Sequence, residues 1–197
     1  MIKLFKSVRG KLLGVLVFLG IVLIGLSASS IYMSNLIKTD AKIINTAGLQ
    51  RALTQIMAKD AAFIALGFNE DFYRKDILER AKTFNQNLND LINGNPKRGF
   101  YPAPENIRKQ LLIVKQKWEP YYKAVKTVAT ADKNSPEFKE ALKYIEEHNL
   151  EILKEMHKAV LMYEDLYNQK IAFIETISLF ALILSIVIII LGLFIIN

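Results

Sequence analysis

The stretch LLGVLVFLGIVLIGLSASSIYMSNLI, residues 12–37, carries no charged side chain, and neither does ISLFALILSIVIIILGLFII, residues 177–196. A helix rises about 1.5 Å per residue, so each is long enough to cross the roughly 30 Å of hydrocarbon in a bilayer. Both are expected to span a membrane. Lys3, Lys6, Arg9 and Lys11 crowd the N-terminal side of the first stretch. Short basic flanks stay in the cytoplasm, so the segment after the first span is expected outside. The chain divides into a cytoplasmic N-terminus (1–11), a first transmembrane helix (12–34), an extracytoplasmic domain (35–172) and a second transmembrane helix (175–197). A cleaved signal peptide is the rival reading, because Ser27, Ala28 and Ser29 come after an apolar run. Against it, the run is long for a signal core, and no helix breaker separates Met33 from the periodic sequence beyond.

Between the spans, 22 basic and 18 acidic side chains interleave along helical faces. That reads as solvated surface and does not point to nucleic acid, although a small anion would meet a mildly favourable field. With no cysteine in the chain there is no disulfide, thiolate nucleophile or cysteine-bound metal. His148 and His157 are the only histidines, and neither stands three residues after a glutamate, so the metal motif of carboxylate bundles is missing. No phosphate loop, haem motif or nucleophile-base pattern occurs, and neither a metal nor a cofactor is expected.

Four helical segments are legible in the domain, which makes the fold class all-α, an antiparallel up-down-up-down four-helix bundle flanked by the two transmembrane helices. The first segment runs to Leu66, with Gly67 and Asn69 forming the turn. In the second, Ile77, Ala81, Phe84, Leu88 and Leu91 keep one apolar stripe. Residues 93–104 hold three prolines and two glycines and are expected as a loop at the end of the bundle farthest from the membrane. The third runs through Ile107, Leu111, Val114, Trp118, Tyr121, Val125 and Val128, with Pro120 expected to kink or interrupt it. The fourth starts at Ser135-Pro136-Glu137, a serine cap followed by proline, and continues through Phe138, Leu142, Ile145, Ile152, Met156, Ala159 and Tyr163 into the second span. Trp118 with Tyr121 and Tyr122 reads as core, since an aromatic stripe at helical spacing usually is.

On the first helix, Ala41, Ile44, Gly48, Arg51, Gln55, Ala58 and Ala62 alternate in steps of three and four and share a face. The face is small and apolar except at Arg51 and Gln55, so another helix can approach closely. An arginine at such a seam is costly unless its charge is matched. Asp40 and Asp60 are too far along the helix to match it, which makes a bound anion one candidate partner; the alternative is an arginine that is solvated at the surface or ion-paired elsewhere. A guanidinium presents a planar fork that suits nitrate, nitrite or a small carboxylate, and Gly48, one turn earlier, leaves room above it.

The run Ile44-Asn45-Thr46-Ala47-Gly48-Leu49-Gln50-Arg51-Ala52-Leu53-Thr54-Gln55-Ile56-Met57-Ala58-Lys59 resembles the first periplasmic helix of PilJ/NarX-like nitrate-sensor domains, found in nitrate sensor kinases and type IV pilus chemoreceptors. Trp118-Glu119-Pro120-Tyr121 is similar to that family's tryptophan-proline segment, and Asn149-Leu150, Met156, Ala159, Val160 and Tyr163 to its last helix. The resemblance implies that Arg51, Gly48 and Ala47 bind the ligand at the two-fold axis of a homodimer, with Gln55 and Ile44 flanking them. Two places depart from the family pattern: Ala52 stands where many relatives carry methionine and Ile56 where many carry a second arginine. The implied function is a non-enzymatic receptor input domain in a bacterial inner membrane, two-pass and with its sensor domain periplasmic. It would bind nitrate or a similar oxyanion and pass a helix displacement inward to a cytoplasmic kinase or chemoreceptor domain, from which this chain is expected to have been cut at Asn197. The alternative is a helical interaction or anchoring module that senses a protein partner such as a pilin and takes no small ligand.

Overall fold

The computed structural model describes residues 8–196, which form α1 (Val8–Leu66), α2 (Glu70–Asn93), a short 3-10 turn (Pro96–Arg98), α3 (Glu105–Thr130) and α4 (Pro136–Ile196). Lys3, Lys6 and Asn197 lie outside the described residues. No strand occurs among the described residues, only one isolated bridge between Asn95 and Phe100. The chain separates into two units: the outer ends of α1 and α4, up to Lys38 and from Leu166 onward, and the bundle Thr39–Asp165.

In the first unit, the most apolar windows of α1 and α4 contain no buried residue, as expected of helices meant for lipid. Ile24 is 72% exposed and Phe180 69%, values that a water-soluble domain rarely accepts over whole helices.

The bundle shows how the periodic stripes close. Ile77, Ala81, Phe84, Leu88 and Leu91 of α2 are all buried, as are Ile107, Leu111, Val114, Trp118, Tyr121, Val125 and Val128 of α3. Burying each large apolar side chain contributes about 1.5–3 kcal/mol, so these two stripes supply much of the driving force. Trp118 packs on Phe84 at 4.0 Å between ring centroids, and its indole N–H donates to Asn85 Oδ1 at 3.2 Å, so it is core. The register is antiparallel throughout. Arg80 reaches Asp60 between α1 and α2, Arg74 reaches Val128 between α2 and α3, and Lys117 reaches Glu151 between α3 and α4.

The ends of the helices obey local chemistry. At the end of α1, Gly67 takes φ +79°; its N–H donates to Ile64 and that of Phe68 to Phe63, the paired bonds of a left-handed helix stop. Ser135 Oγ accepts from Phe138 N at 3.2 Å, and Pro136 opens α4.

One sequence expectation is narrowed and another corrected. α3 runs through Pro120 without interruption, because the surrounding stripe is buried on both sides of it. The loop at 93–104 is at the opposite end from the one expected. Lys42 Nζ donates to Arg98 O at 2.5 Å, and Tyr163 OH donates to Leu91 O at 3.4 Å, so the loop lies where α1 enters the bundle and α4 leaves it. The physical reason is parity: a chain entering by α1 has returned to its starting end after two helices.

Candidate functional site

Arg51 sits in the middle of the bundle part of α1, half-buried. Its side chain runs back over the preceding turn, as helical side chains do, so that a Cβ built on Gly48 would meet Arg51 Nη2 at 3.6 Å. Gly48 therefore leaves one side of the guanidinium uncovered. Nη1 is 2.8 Å from His157 Nδ1 on α4. A guanidinium only donates, so the imidazole nitrogen accepts. No carboxylate among the described residues lies within ion-pair distance of Arg51, and its charge is left uncompensated.

The face around Arg51 is not the core seam of a single chain. The buried side of α1 is the adjacent stripe, Ile43, Ala47, Gln50, Leu53, Thr54, Met57, Ala61 and Ile64. Ala41, Ile44, Gly48, Arg51, Gln55 and Ala58 are half-buried and Ala62 is exposed. Of the five candidate residues, Arg51, Gly48, Ile44 and Gln55 thus share one flank, and Gln55 Nε2 is buried with no hydrogen-bond partner. Ala47 does not join them, since its methyl is wholly buried on the core side. The places of the two family departures, Ala52 and Ile56, are exposed and half-buried respectively.

Beside Arg51, Gln50 begins a polar network that sequence reading did not single out. Fully buried, it donates to Phe84 O at 2.8 Å and accepts from Asn87 at 3.4 Å; Asn87 in turn accepts from Arg98 at 3.1 Å. Arg98 also pairs with buried Asp90, which Asn95 contacts at 2.9 Å. Sequence reading also missed His157 as Arg51's partner. The two are 106 residues apart, and only the closed bundle brings α4 across α1. The sequence signal was its place at the edge of the Met156, Ala159, Val160 stripe.

No group of three His, Asp or Glu side chains among the described residues is arranged to hold a metal. What the site offers is a half-buried planar cation on a small-residue flank. Comparison with known proteins supplies the family. The family described as PilJ, type IV pili methyl-accepting chemotaxis transducer N-term, matches residues 32–144, more than half of the chain. The chain belongs to this family. Over 118 residues it is 30% identical to Protein PilJ of Pseudomonas aeruginosa, covering 59% of this chain but only 17% of that protein. It also resembles the ligand-binding domain of the P. aeruginosa nitrate receptor McpN. The TM-score is 0.52 at 26% identity, over 62% of this chain and 93% of that domain. The PilJ/NarX-like resemblance read from residues 44–59 therefore holds, and the chain is a chemoreceptor-type input domain. The matched segment ends at residue 144, before the last-helix similarity at 149–163.

Proposed function

We propose that the bundle binds nitrate or a related small oxyanion between two copies of the chain, with Arg51 gripping the ligand and Gly48 lying against it. The observation that carries this is the half-buried Arg51 guanidinium, uncompensated by any carboxylate among the described residues. A single planar anion set between two such side chains would offset both charges, and the fork geometry favours it over a spherical ion. On α4 the exposed Leu150 and Leu161 stand at helical spacing from His157, beside the site. A second copy would cover them. The likeness to the McpN domain supports the choice of anion. The two apolar helices and the family together support a two-pass receptor of the inner membrane with the bundle outside, in which binding displaces α1 or α4 along its axis and signals to a cytoplasmic partner. Calorimetric titration with nitrate, nitrite and short carboxylates tests this; heat from none of them defeats it.

One observation favours the second reading, a module that senses a protein. At the α1–α2 turn, Leu66, Phe68 and Phe72 are 68%, 60% and 54% exposed, and Phe63 packs edge-on against Phe68 and at a tilt against Tyr73. Such an aromatic cluster on a polar bundle suits a protein partner.

A further inference from the structure

The geometry points to the connection between α2 and α3 as a membrane contact: its outer side, Lys97, Tyr101 and Arg108, fits the anionic headgroups of the leaflet from which α1 emerges. The inference rests on the two-pass reading above and adds the lipid as a partner of the bundle. Two observations put this connection within reach of the bilayer. Lys42 Nζ of α1 donates to Arg98 O at 2.5 Å and lies 5.5 Å from the centre of the Phe100 ring. Eight residues separate Lys42 from residue 34, where the first span ends, a tether of about 12 Å as helix. Headgroups extend about 5–7 Å beyond the hydrocarbon on each side, so this end of the bundle cannot stand far from them at any tilt.

What the loop presents to the outside follows from what it keeps inside. Arg98 turns inward to Asp90 and to Asn87 Oδ1 at 3.1 Å, Phe100 is buried, and Asn95 and Phe100 exchange backbone bonds of 2.9 and 3.0 Å. The result is a fixed loop with Lys97 and Tyr101 exposed, followed by exposed Arg108 in the first turn of α3. Residues 93–109 carry Lys97, Arg98, Arg108 and Lys109 against Glu105, which pairs with Lys109 at 3.6 Å. Lys97 and Arg108 are engaged by no acidic group among the described residues. At the same end of α1 and α4, Asp40 and Asp165 already have partners, and exposed Glu164 is one charge against two. Basic side chains held close to an anionic leaflet are drawn to it. Tyr101, 58% exposed, adds a ring with an apolar body and a polar tip, which favours headgroup level over open water. A soluble polyanion would use the two cations but neither the ring nor the tether, so the fit is to a bilayer.

The test uses the full chain in lipid nanodiscs, with single cysteines that take a fluorescent probe without background because the chain has none of its own. Pro96→Cys puts the probe on the loop and leaves Lys97 in place. Asn134→Cys puts it on the α3–α4 turn at the other end of the bundle, and Leu184→Cys in the second span. Quenching is read with nitroxides attached to the headgroup or to the acyl chain. The Leu184 probe should be quenched from the acyl chain and the Asn134 probe from neither. The Pro96 probe should be quenched from the headgroup, more strongly in discs containing phosphatidylglycerol than in pure phosphatidylcholine. Lys97→Gln and Arg108→Gln, both at exposed positions and so expected to keep full helicity, should each weaken the contact about fivefold in the anionic discs, the share of one basic group at a charged surface. Tyr101→Ser should weaken it in both kinds of disc. An unquenched Pro96 probe overturns the inference, as does quenching indifferent to lipid charge and to these substitutions, which would show nearness without contact. A Pro96 probe shielded from water yet unquenched by lipid would assign this side to a second copy of the chain and also overturn it. An unquenched Leu184 probe overturns the two-pass reading itself, and this inference with it.

Discussion

At the scale of single residues, two neighbouring positions separate binding from folding. Arg51→Ala should reduce anion affinity by at least about 50-fold, since it removes charge-assisted bonds of about 1.5–3 kcal/mol each, and Arg51→Lys should recover little because an ammonium lacks the fork. Calorimetry reads the affinity, and unchanged helicity by circular dichroism shows that the fold survives. Gly48→Ala makes the same split. The added Cβ meets only the Arg51 side chain, at an ordinary 3.6 Å, so the helix should gain up to about 1 kcal/mol from the better helix former. The same methyl fills the space beside Nη2, so affinity should fall while the thermal midpoint holds or rises. Asp60 bears on stability alone. It is fully buried, with Lys59 at 3.2 Å and Arg80 at 3.3 Å, yet neither carboxylate oxygen has a well-directed hydrogen bond. Burial pushes its carboxyl above the ordinary 3.8, outweighing the lysine and arginine that pull it down. With its folded value raised, the native state holds the proton longer than the unfolded chain, so this group's contribution to stability falls as pH rises from near 3.8 through the raised value. Asp60→Asn should therefore raise the thermal midpoint of the bundle at neutral pH and flatten that part of the pH profile. A lower midpoint would show that the pairing with Lys59 and Arg80 outweighs the desolvation.

At the scale of elements, the loop between α2 and α3 is a buckle and not a free connection. Asn95 and Phe100 exchange backbone bonds of 2.9 and 3.0 Å, Arg98 reaches back to Asp90 and Asn87, and Lys42 of α1 closes over Phe100. Gly94 turns the chain into this buckle at φ +76°, and a Cβ there would meet Pro102 N and Cδ at 2.7 Å. Gly94→Ala combines a backbone conformation that side chains rarely adopt with a clash against backbone, so it should cost about 2 kcal/mol or more. Chemical denaturation measures this as a lower midpoint at unchanged slope. The loop's content was legible from its prolines and glycines, but its location was not: composition reports that the chain turns, whereas the end at which it turns comes from counting helices. Pro120 is the reverse lesson. The local rule expects a break, and the buried residues on either side hold the helix through it.

At the scale of the whole molecule, an anion shared between two Arg51 side chains links ligand to dimer. The empty dimer would face two like charges, which the ligand relieves, and whatever binds the dimer and not the monomer favours the dimer by mass action. The isolated bundle, residues 35–172, is therefore expected to be largely monomeric without ligand and to shift toward dimer as nitrate is added, at about one anion per two chains. Sedimentation at several protein concentrations reads this. Indifference to saturating nitrate, or one anion per chain, would put the site within one bundle. In the full chain the spans raise the local concentration, so the same energy would reorient paired helices instead.

The sequence by itself determined the two lipid-ready helices, the four-helix bundle, the boundaries at Leu66, Asn93 and Pro136, and the segment 44–59 that marks the family. These are carried by composition, by periodicity and by local caps, each legible within one or two turns. Only the tertiary structure decided that the Arg51 stripe flanks the core and does not form it, that Ala47 faces inward, that Gln50 anchors α1 to α2, and that His157 is what Arg51 touches. A helix's periodicity names its faces but not their neighbours. Which face meets which depends on the register of four antiparallel helices, set by side chains as much as 106 residues apart.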